Sequence, residues 1–152
     1  MVTIPQALPT FSLAGIVAGG AGSTVALSGA ASQTTTVDPS GNFVFTGLLN
    51  GSYTVTPSKA GFSMTPPSRP ATVSGANVVN VNFTANQQTW AISGTITGGA
   101  SSTVTLSGAA AKTTTADAAG NYSFTGLVNG GYTVTPTKAG STFSPGNQAV
   151  TN

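Results

Sequence analysis

Residues 42–56 read NFVFTGLLNGSYTVT, and residues 121–135 repeat this stretch as NYSFTGLVNGGYTVT. Apolar or aromatic side chains recur at every second position on both sides of an Asn-Gly pair. A period of two residues is typical of β-strands, whose successive side chains point to opposite faces of a sheet. The stretch therefore predicts two short strands separated by a turn, once in each half of the chain.

Differences between the two stretches indicate which face of the first strand points inward. Phe43 and Phe45 remain aromatic in the second stretch, as Tyr122 and Phe124. The residue between them changes from Val44 to Ser. We therefore expect the aromatic pair to pack into a core and the intervening residue to face away from it.

The repetition extends far beyond these strands. A shift of 79 residues places Phe11–Gly61 on Trp90–Gly140 without a gap, and 32 of the 51 aligned positions are identical. The chain is therefore two copies of one module. A module of about 79 residues can bury a single core between two sheets.

Further alternating runs predict that each module is all-β with about seven short strands. Residues 25–27, 53–55 and 79–83 alternate in this way, and the apolar members of each run, including Val79 and Val81, are expected to point inward. Gly, Pro, Asn and Asp separate the runs, and no window of ten residues has helical spacing. The strands expected in the first copy are residues 12–17, 23–28, 34–37, 42–46, 52–57, a short piece near 63, 71–73 and 78–85.

The expected domains are residues 11–86 as a first β-sandwich repeat and residues 87–152 as a second. Residues 1–10 are expected to carry a separate donor-like strand. The 79-residue shift places Val2 and Ile4 on Val81 and Phe83, in the last strand of the first module. At the other end the shift brings the second module to the equivalent of residue 73, with a one-residue deletion expected after Pro145. The second module is thus expected to lack its closing strand.

Composition excludes much chemistry. The 152 residues include four basic and two acidic side chains and no His, Cys or Glu. Charged residues make up 4% of the chain, against about 25% in an ordinary soluble domain. A His base, a Cys nucleophile or a His/Cys metal site cannot be built from these residues. We expect no catalytic residue, no cofactor, no metal site and no enzymatic activity.

The same composition bears on partners and location. Four scattered cations form no patch for a run of phosphates, so we expect no nucleic-acid partner. No stretch approaches the roughly 20 apolar residues of a membrane-spanning helix. Abundant Thr, Ser, Asn and Gly with few charges suggest an extracellular or cell-surface protein, whose surface Thr, Ser and Asn are candidate glycan acceptors.

A motif common to both copies resembles a known family. In the first copy the motif residues are Thr36, Asp38, Gly41, Phe43, Phe45, Leu48, Gly51, Tyr53 and Val55, and in the second they are Thr115, Asp117, Gly120, Tyr122, Phe124, Leu127, Gly130, Tyr132 and Val134. The motif resembles the carboxypeptidase regulatory-like, prealbumin-like repeats of bacterial surface proteins. This resemblance implies two tandem Ig-like β-sandwich modules used as stalks, spacers or accessory domains, with no catalysis.

Asp38 and Asp117 are the only repeated carboxylates. One interpretation makes each a metal ligand at the end of a module. The simpler one makes each the first residue of a hairpin turn, in which the Asp accepts backbone N–H groups and Gly41 or Gly120 takes a positive φ. We expect these four residues to be structural.

Three further side chains have alternative interpretations. Trp90, at the position of Phe11, is expected to cover one end of a core, with a sugar-stacking platform as the alternative. Lys59 and Lys138 are expected to be solvated charges at Lys-Ala-Gly turns.

An incomplete sandwich exposes unpaired backbone groups, which a strand from another chain can satisfy. We therefore expect Val2, Thr3 and Ile4 to enter the second module of a neighbouring copy, giving a head-to-tail homopolymer. The expected function is that of a structural subunit of an extracellular fibre or pilus-like filament. Pro5 and Pro9 restrict the donated strand to a short length.

Two alternatives remain open for the function. Stalk or spacer repeats cut from a larger secreted adhesin or enzyme would also begin with a leftover strand and lack a strand at the end. A carbohydrate-binding accessory repeat would need an exposed aromatic cluster or a polar groove.

Overall fold

The computed structural model describes residues 7–151, which form fourteen β-strands. These residues divide into two compact units between Asn86 and Gln87, here called the first and second modules. The first module has eight strands and the second has six, against about seven expected for each. Both modules are β-sandwiches of the Ig-like, prealbumin-like kind.

The first module pairs its strands in two four-stranded sheets. Its strands are β1 (Phe11–Ala18), β2 (Thr24–Gly29), β3 (Gln33–Thr36), β4 (Asn42–Leu48), β5 (Gly51–Ser58), β6 (Phe62–Thr65), β7 (Arg69–Val73) and β8 (Phe83–Gln87). One sheet has the order β4-β1-β8-β6 and the other the order β3-β2-β5-β7. β1 is antiparallel to β4 and parallel to β8, so one edge of β1 faces each of these strands.

The second module repeats one sheet in full and half of the other. Its strands are β9 (Trp90–Thr95), β10 (Thr103–Gly108), β11 (Lys112–Thr115), β12 (Asn121–Leu127), β13 (Gly131–Thr137) and β14 (Gln148–Thr151). The order β11-β10-β13-β14 corresponds to β3-β2-β5-β7, whereas β9 pairs with β12 alone in a two-stranded sheet. Up to residue 151, the second module therefore contains no counterpart of β6 or β8.

The side chains in the runs that predicted the strands alternate between buried and exposed in the structure. Phe43 and Phe45 are 4% and 2% exposed, while Val44 between them is 51% exposed. Tyr53 and Val55, which lie on β5 of the facing sheet, are also buried. The inward orientation of these four side chains is thus confirmed, and the two sheets enclose one core in the first module. Its buried members are Leu13, Val17, Val25, Leu27, Val37, Phe43, Phe45, Leu48, Tyr53, Val55, Val73, Val81 and Phe83.

The second core is smaller. It consists of Ile92, Val104, Leu106, Ala116, Phe124, Leu127, Tyr132 and Val134. Tyr122, the counterpart of the buried Phe43, is only half-buried against this core.

The prediction for residues 78–85 is wrong at its beginning. The regular strand starts at Phe83, and Val79 is 62% exposed instead of pointing inward. Asn80 takes a φ of 64°, and this left-handed residue interrupts the period of two. Val81 and Phe83 are buried as expected.

The deletion expected after Pro145 is also wrong. Tyr132 pairs with Val150 on β14. Tyr53 pairs with Ala71, which lies 79 residues earlier, on β7. The 79-residue shift thus continues without a gap to the end of β14.

Candidate functional site

In the first module, one edge of β1 is covered by residues 77–85, here called the cover segment. The N–H of Ala14 donates to the carbonyl of Val78, and the N–H of Val78 donates to the carbonyl of Ser12, both at 2.9 Å. Further along, Val17 and Ala18 of β1 pair in parallel with the first residues of β8. The cover segment therefore completes the sheet on the side of β1 that faces away from β4.

Two asparagine side chains of the cover segment contribute to this edge. Asn77 Oδ1 accepts the N–H of Ser12 at 2.9 Å. Asn82 Oδ1 accepts the N–H of Ile16 at 3.0 Å. The bond from Asn82 is needed because the segment departs from regular pairing at Asn80, so that its backbone supplies no carbonyl to the N–H of Ile16.

The cover segment also fills the core. Phe83 is 3% exposed, and its ring lies 6.3 Å from that of Phe43, centroid to centroid. The backbone of Val81 passes directly over Gly15, where an added Cβ would lie 2.0 Å from the Val81 carbonyl oxygen. Only glycine admits this approach, so Gly15 has a role that depends on the cover segment.

In the second module, the corresponding edge of β9 has no strand beside it within residues 87–151. β9 pairs with β12 through the register Thr95 with Asn121 and Ser93 with Ser123. Because antiparallel bonding alternates along a strand, the N–H groups of Ala91, Ser93 and Thr95 point to the open edge, as those of their counterparts in β1 point to the cover segment. An edge of this kind is a template for another strand.

A cleft of about 270 Å³ lies beside this open edge. Six of its lining residues are apolar or aromatic, namely Ile96, Tyr122, Val134, Pro136, Phe143 and Pro145, and six are polar, namely Thr95, Thr97, Thr142, Ser144, Asn147 and Gln148. The counterparts of Ile96 and Tyr122 in the first module are Val17 and Phe43, which are buried. Ile96 and Tyr122 themselves are only half-buried.

Gly94 is the counterpart of Gly15. A Cβ added at Gly94 would lie 2.6 Å from the Tyr122 hydroxyl oxygen, and the three atoms nearest to it all belong to the Tyr122 ring end. At Gly15 the two nearest atoms belong instead to the Val81 backbone. The open edge, the cleft and Gly94 together form the candidate acceptor site.

Sequence reasoning missed Gly94, Ile96 and Phe143 as members of a site. A signal was present, because the 79-residue shift that carries Gly15 to Gly94 keeps the glycine while residues 12–14 and 16–18 all change. The expected donor residues Val2, Thr3 and Ile4 lie outside the described residues. Residues 7–10, which follow them, are exposed and belong to no strand.

The two aspartates lie in turns that join strands of different sheets, β3 to β4 and β11 to β12, so these turns are not hairpins as predicted. Asp38 Oδ1 accepts the backbone N–H of Asn42 at 2.8 Å. Asp117 Oδ1 accepts the N–H groups of Ala119 and Asn121, both at 2.8 Å. Gly41 and Gly120 follow at φ values of 90° and 86°.

These hydrogen bonds also affect the charge of the turns. The backbone N–H of Asn42, with further help from its side-chain amide, holds the pKa of Asp38 below its ordinary value. Asn121 lowers the pKa of Asp117 in the same manner. Each carboxylate is thus engaged by its own turn, and residues 7–151 contain no cluster of three candidate metal ligands.

The lysines lie at exposed turns, and each also makes one hydrogen bond to the backbone. Lys59 Nζ donates to the carbonyl of Ala21 at 2.8 Å, and Lys138 Nζ donates to that of Ala100 at 2.7 Å. Trp90 differs from expectation. Trp90 is 48% exposed, so it does not close a core as predicted.

Within the described part of the chain, no helix is long and apolar enough to cross a membrane.

Comparison with protein families gives one match. The model for the BOS complex subunit NOMO1-like second beta sandwich domain matches residues 10–85, which is half of the chain. The comparison with curated proteins found no match.

Comparison with solved structures gives matches over nearly the whole chain. The Bacillus anthracis TIE protein is 17% identical, with a TM-score of 0.64, and the match covers 93% of this chain but 31% of that one. A streptococcal ancillary pilin is 13% identical, with a TM-score of 0.49 and coverages of 94% and 58%. This chain therefore spans less than a third of the TIE chain, and the likeness to it is one of fold.

Proposed function

The chain belongs to the family of the second β-sandwich domain of NOMO1-like BOS complex subunits, and we propose that it acts as a structural subunit of an extracellular fibre or pilus-like filament. In this proposal the second module is completed by a β-strand donated from another copy. The protein is not an enzyme, and its cell-surface location follows from the fibre role.

One observation carries the proposal: two copies of one module differ at one sheet edge. In the first module the edge of β1 is covered by its own chain, and Val81 and Phe83 fill the core behind it. In the second module, the same edge of β9 and the cleft behind it are open among residues 87–151. An extended segment satisfies such an edge by β-augmentation, through backbone hydrogen bonds and side-chain pockets.

The donor we propose is the segment containing Val2, Thr3 and Ile4. The 79-residue shift aligns Val2 with Val81 and Ile4 with Phe83, the two side chains that fill the first core. Donation by residues 2–4 to the second module of a neighbour is head-to-tail and does not close on itself, so it propagates into a filament.

The proposed contact depends on backbone pairing and on burial of Val2 and Ile4, and none of the residues that line the cleft is charged. The chain carries only four basic and two acidic side chains. Assembly is therefore expected to change little with ionic strength, because exposed ion pairs contribute little and are the interactions that salt screens.

The test is electron microscopy and sedimentation of the full chain and of its Ile4→Asp variant. A charge placed beside Ile96 and Tyr122 would have no oppositely charged partner among the residues that line the cleft, so the variant should remain monomeric with the first module folded. Leu8→Asp is the matched control, because Leu8 is exposed and aligns with the exposed Gln87. Fibres that persist unchanged in Ile4→Asp would refute the donor role.

A second candidate is a stalk, in which the missing strand is supplied by continuation of the same chain. The family description favours it, because a second β-sandwich domain is one of several in its subunit. Concentration separates the two candidates. Donation between copies makes the stability of the second module rise with protein concentration, whereas a stalk repeat keeps a concentration-independent transition.

A further inference from the structure

We propose that the acceptor site of the second module recognises a specific pattern in the entering strand: two asparagines five positions apart, with an apolar residue before the second one and an aromatic residue directly after it. This inference rests on the proposed acceptor function and names the ligand that fits it best. The ligand is an extended peptide with the chemistry of residues 77–85, bound parallel to β9.

The orientation follows from the pairing in the first module. Asn77 bonds at Ser12 near the start of β1, and Phe83 pairs with Val17 near its end. The cover segment therefore runs parallel to β1. Because β9 repeats β1, a ligand with the same anchors runs parallel to β9, with its first asparagine nearest to Trp90.

The asparagine requirement follows from two N–H groups of β1 that no backbone carbonyl of the cover segment accepts. Asn77 accepts the N–H of Ser12 before backbone pairing begins at Val78. Asn82 serves the other N–H, after the bend. At Asn80 the backbone takes a φ of 64°, and the next backbone contact to β1, from the N–H of Val81 to the carbonyl of Ala14, is 3.3 Å long. The N–H of Ile16 is then satisfied by the Asn82 side chain instead of a backbone carbonyl.

In the second module, Ala91 and Thr95 take the places of Ser12 and Ile16. Backbone N–H groups at these positions are independent of side-chain identity, so the same two asparagine anchors serve them.

The aromatic requirement follows from the cleft. In the first module the Phe83 ring packs on Phe43 with centroids 6.3 Å apart, and it is buried. In the second module the equivalent place adjoins Tyr122 and Ile96, and the cleft of about 270 Å³ is large enough for a phenyl ring. Gly94 has no Cβ to obstruct the ligand backbone, and the end of the Tyr122 ring, which adjoins this position, is the group that has to give way to it.

The pattern predicts which of the two candidate segments of this chain binds the site more tightly. Residues 77–85 carry Asn77, Asn82 and Phe83, whereas the N-terminal segment has Thr3 and Ile4 at the last two positions. The Thr side chain is shorter and offers a hydroxyl where the amide oxygen bonds. A free peptide with the sequence of residues 77–85 should therefore outcompete the donor segment and cap the end of a growing fibre.

The experiment titrates a synthetic peptide with the sequence of residues 76–86, ANVVNVNFTAN, into the full-length Ile4→Asp chain. That variant keeps the acceptor site but lacks a competent donor. The readout is the fluorescence of Trp90, the only tryptophan, quenched by a label at either end of the peptide. A parallel ligand quenches more strongly from an N-terminal label than from a C-terminal one.

Peptides carrying Asn82→Ala or Asn77→Ala should each bind about tenfold more weakly, the loss expected for one net hydrogen bond. Phe83→Ala should abolish saturable binding. The control peptide carries Val79→Ala, because the Val79 side chain is exposed in the first module.

The outcomes separate this inference from the proposed function. Equal affinity with and without the asparagines, stronger quenching from the C-terminal label, or no binding to a chain whose wild type forms fibres would overturn the inference alone. Asparagine-dependent binding to a chain whose wild type never assembles would uphold the ligand pattern and refute donation between copies.

Discussion

At the scale of single residues, the two Asp turns govern the response to acid. In each turn a carboxylate accepts backbone N–H groups, which stabilise its charged form. The lowered pKa means that the folded chain holds its proton less strongly than the unfolded chain does. The resulting stabilisation is complete above the ordinary pKa of 3.8 and is lost as the pH falls through the lowered pKa.

The chain has no His and no Glu, so no other side chain titrates between the range of Asp and mildly alkaline pH. We predict a melting temperature that is constant from about pH 5 to about pH 8 and falls below about pH 4. Circular dichroism across this range measures it. The double variant Asp38→Asn, Asp117→Asn should flatten the acid limb, and a fall of equal steepness in that variant would contradict the assignment.

Gly94 provides a second prediction at this scale. An alanine Cβ there would press only on the movable end of Tyr122, so the second module of Gly94→Ala should fold with a small loss of stability. The same Cβ would block an entering backbone, so fibre formation should be lost. Sedimentation measures assembly, and circular dichroism measures folding.

The matched variant is Gly15→Ala. Here the Cβ would lie 2.0 Å from the Val81 carbonyl oxygen, so the cover segment must move and the first module should lose stability. Equal effects of the two substitutions on stability would mean that Gly94 is needed only to make room for the Tyr122 ring, and Gly94 would then not belong to the acceptor site.

At the scale of elements, the cover segment holds one sheet together through a few anchors. Phe83 is 3% exposed and contacts Phe43. We predict that Phe83→Ala destabilises the first module by about 3–5 kcal/mol, the usual loss for a buried phenylalanine. Urea denaturation measures it. Val79→Ala is the control from the same segment, with an expected change within about 0.5 kcal/mol because Val79 is exposed.

A loss at Phe83 no larger than at Val79 would show that the segment is not needed to close the sheet. The case for an acceptor site in the second module would then fall, since it depends on the importance of this strand in the first.

The same segment shows what the sequence could and could not predict. The strands around residues 43–45 and 53–55 could be predicted, because both copies keep a strict period of two and one face packs on a core. The start of β8 could not, because the left-handed residue Asn80 breaks that period without any Gly or Pro to mark it. The exposure of Val79 is the consequence.

The candidate site was predictable in part for a similar reason. Counting strands along the 79-residue repeat predicted that the second module lacks a closing strand. The cleft lining could not be predicted, because Ile96 and Phe143 look like ordinary core positions in the sequence. Only the structure shows that Val17, the counterpart of Ile96, is buried in the module that has the covering strand, and that β6 pairs with β8 and has no equivalent strand among residues 87–151.

At the scale of the whole molecule, the first module shows which residues would complete the sheet of the second module. The 79-residue period aligns the position after Asn152 with Ser74. A chain extended there by a copy of residues 74–86 would carry its own cover segment for the second module. We predict that this extension raises the thermal stability of the second module and abolishes fibre formation, because the site is occupied within one chain.

The size of the effect can be estimated from the groups buried. Burying one phenylalanine and one valine side chain contributes on the order of 3–5 kcal/mol. That stabilisation should be independent of protein concentration, because the contact is intramolecular. An extension of equal length, with serine at the positions of Val81 and Phe83, is the control and should leave both stability and assembly unchanged. Fibres that form equally well with the intact extension would place the assembly contact elsewhere than at β9.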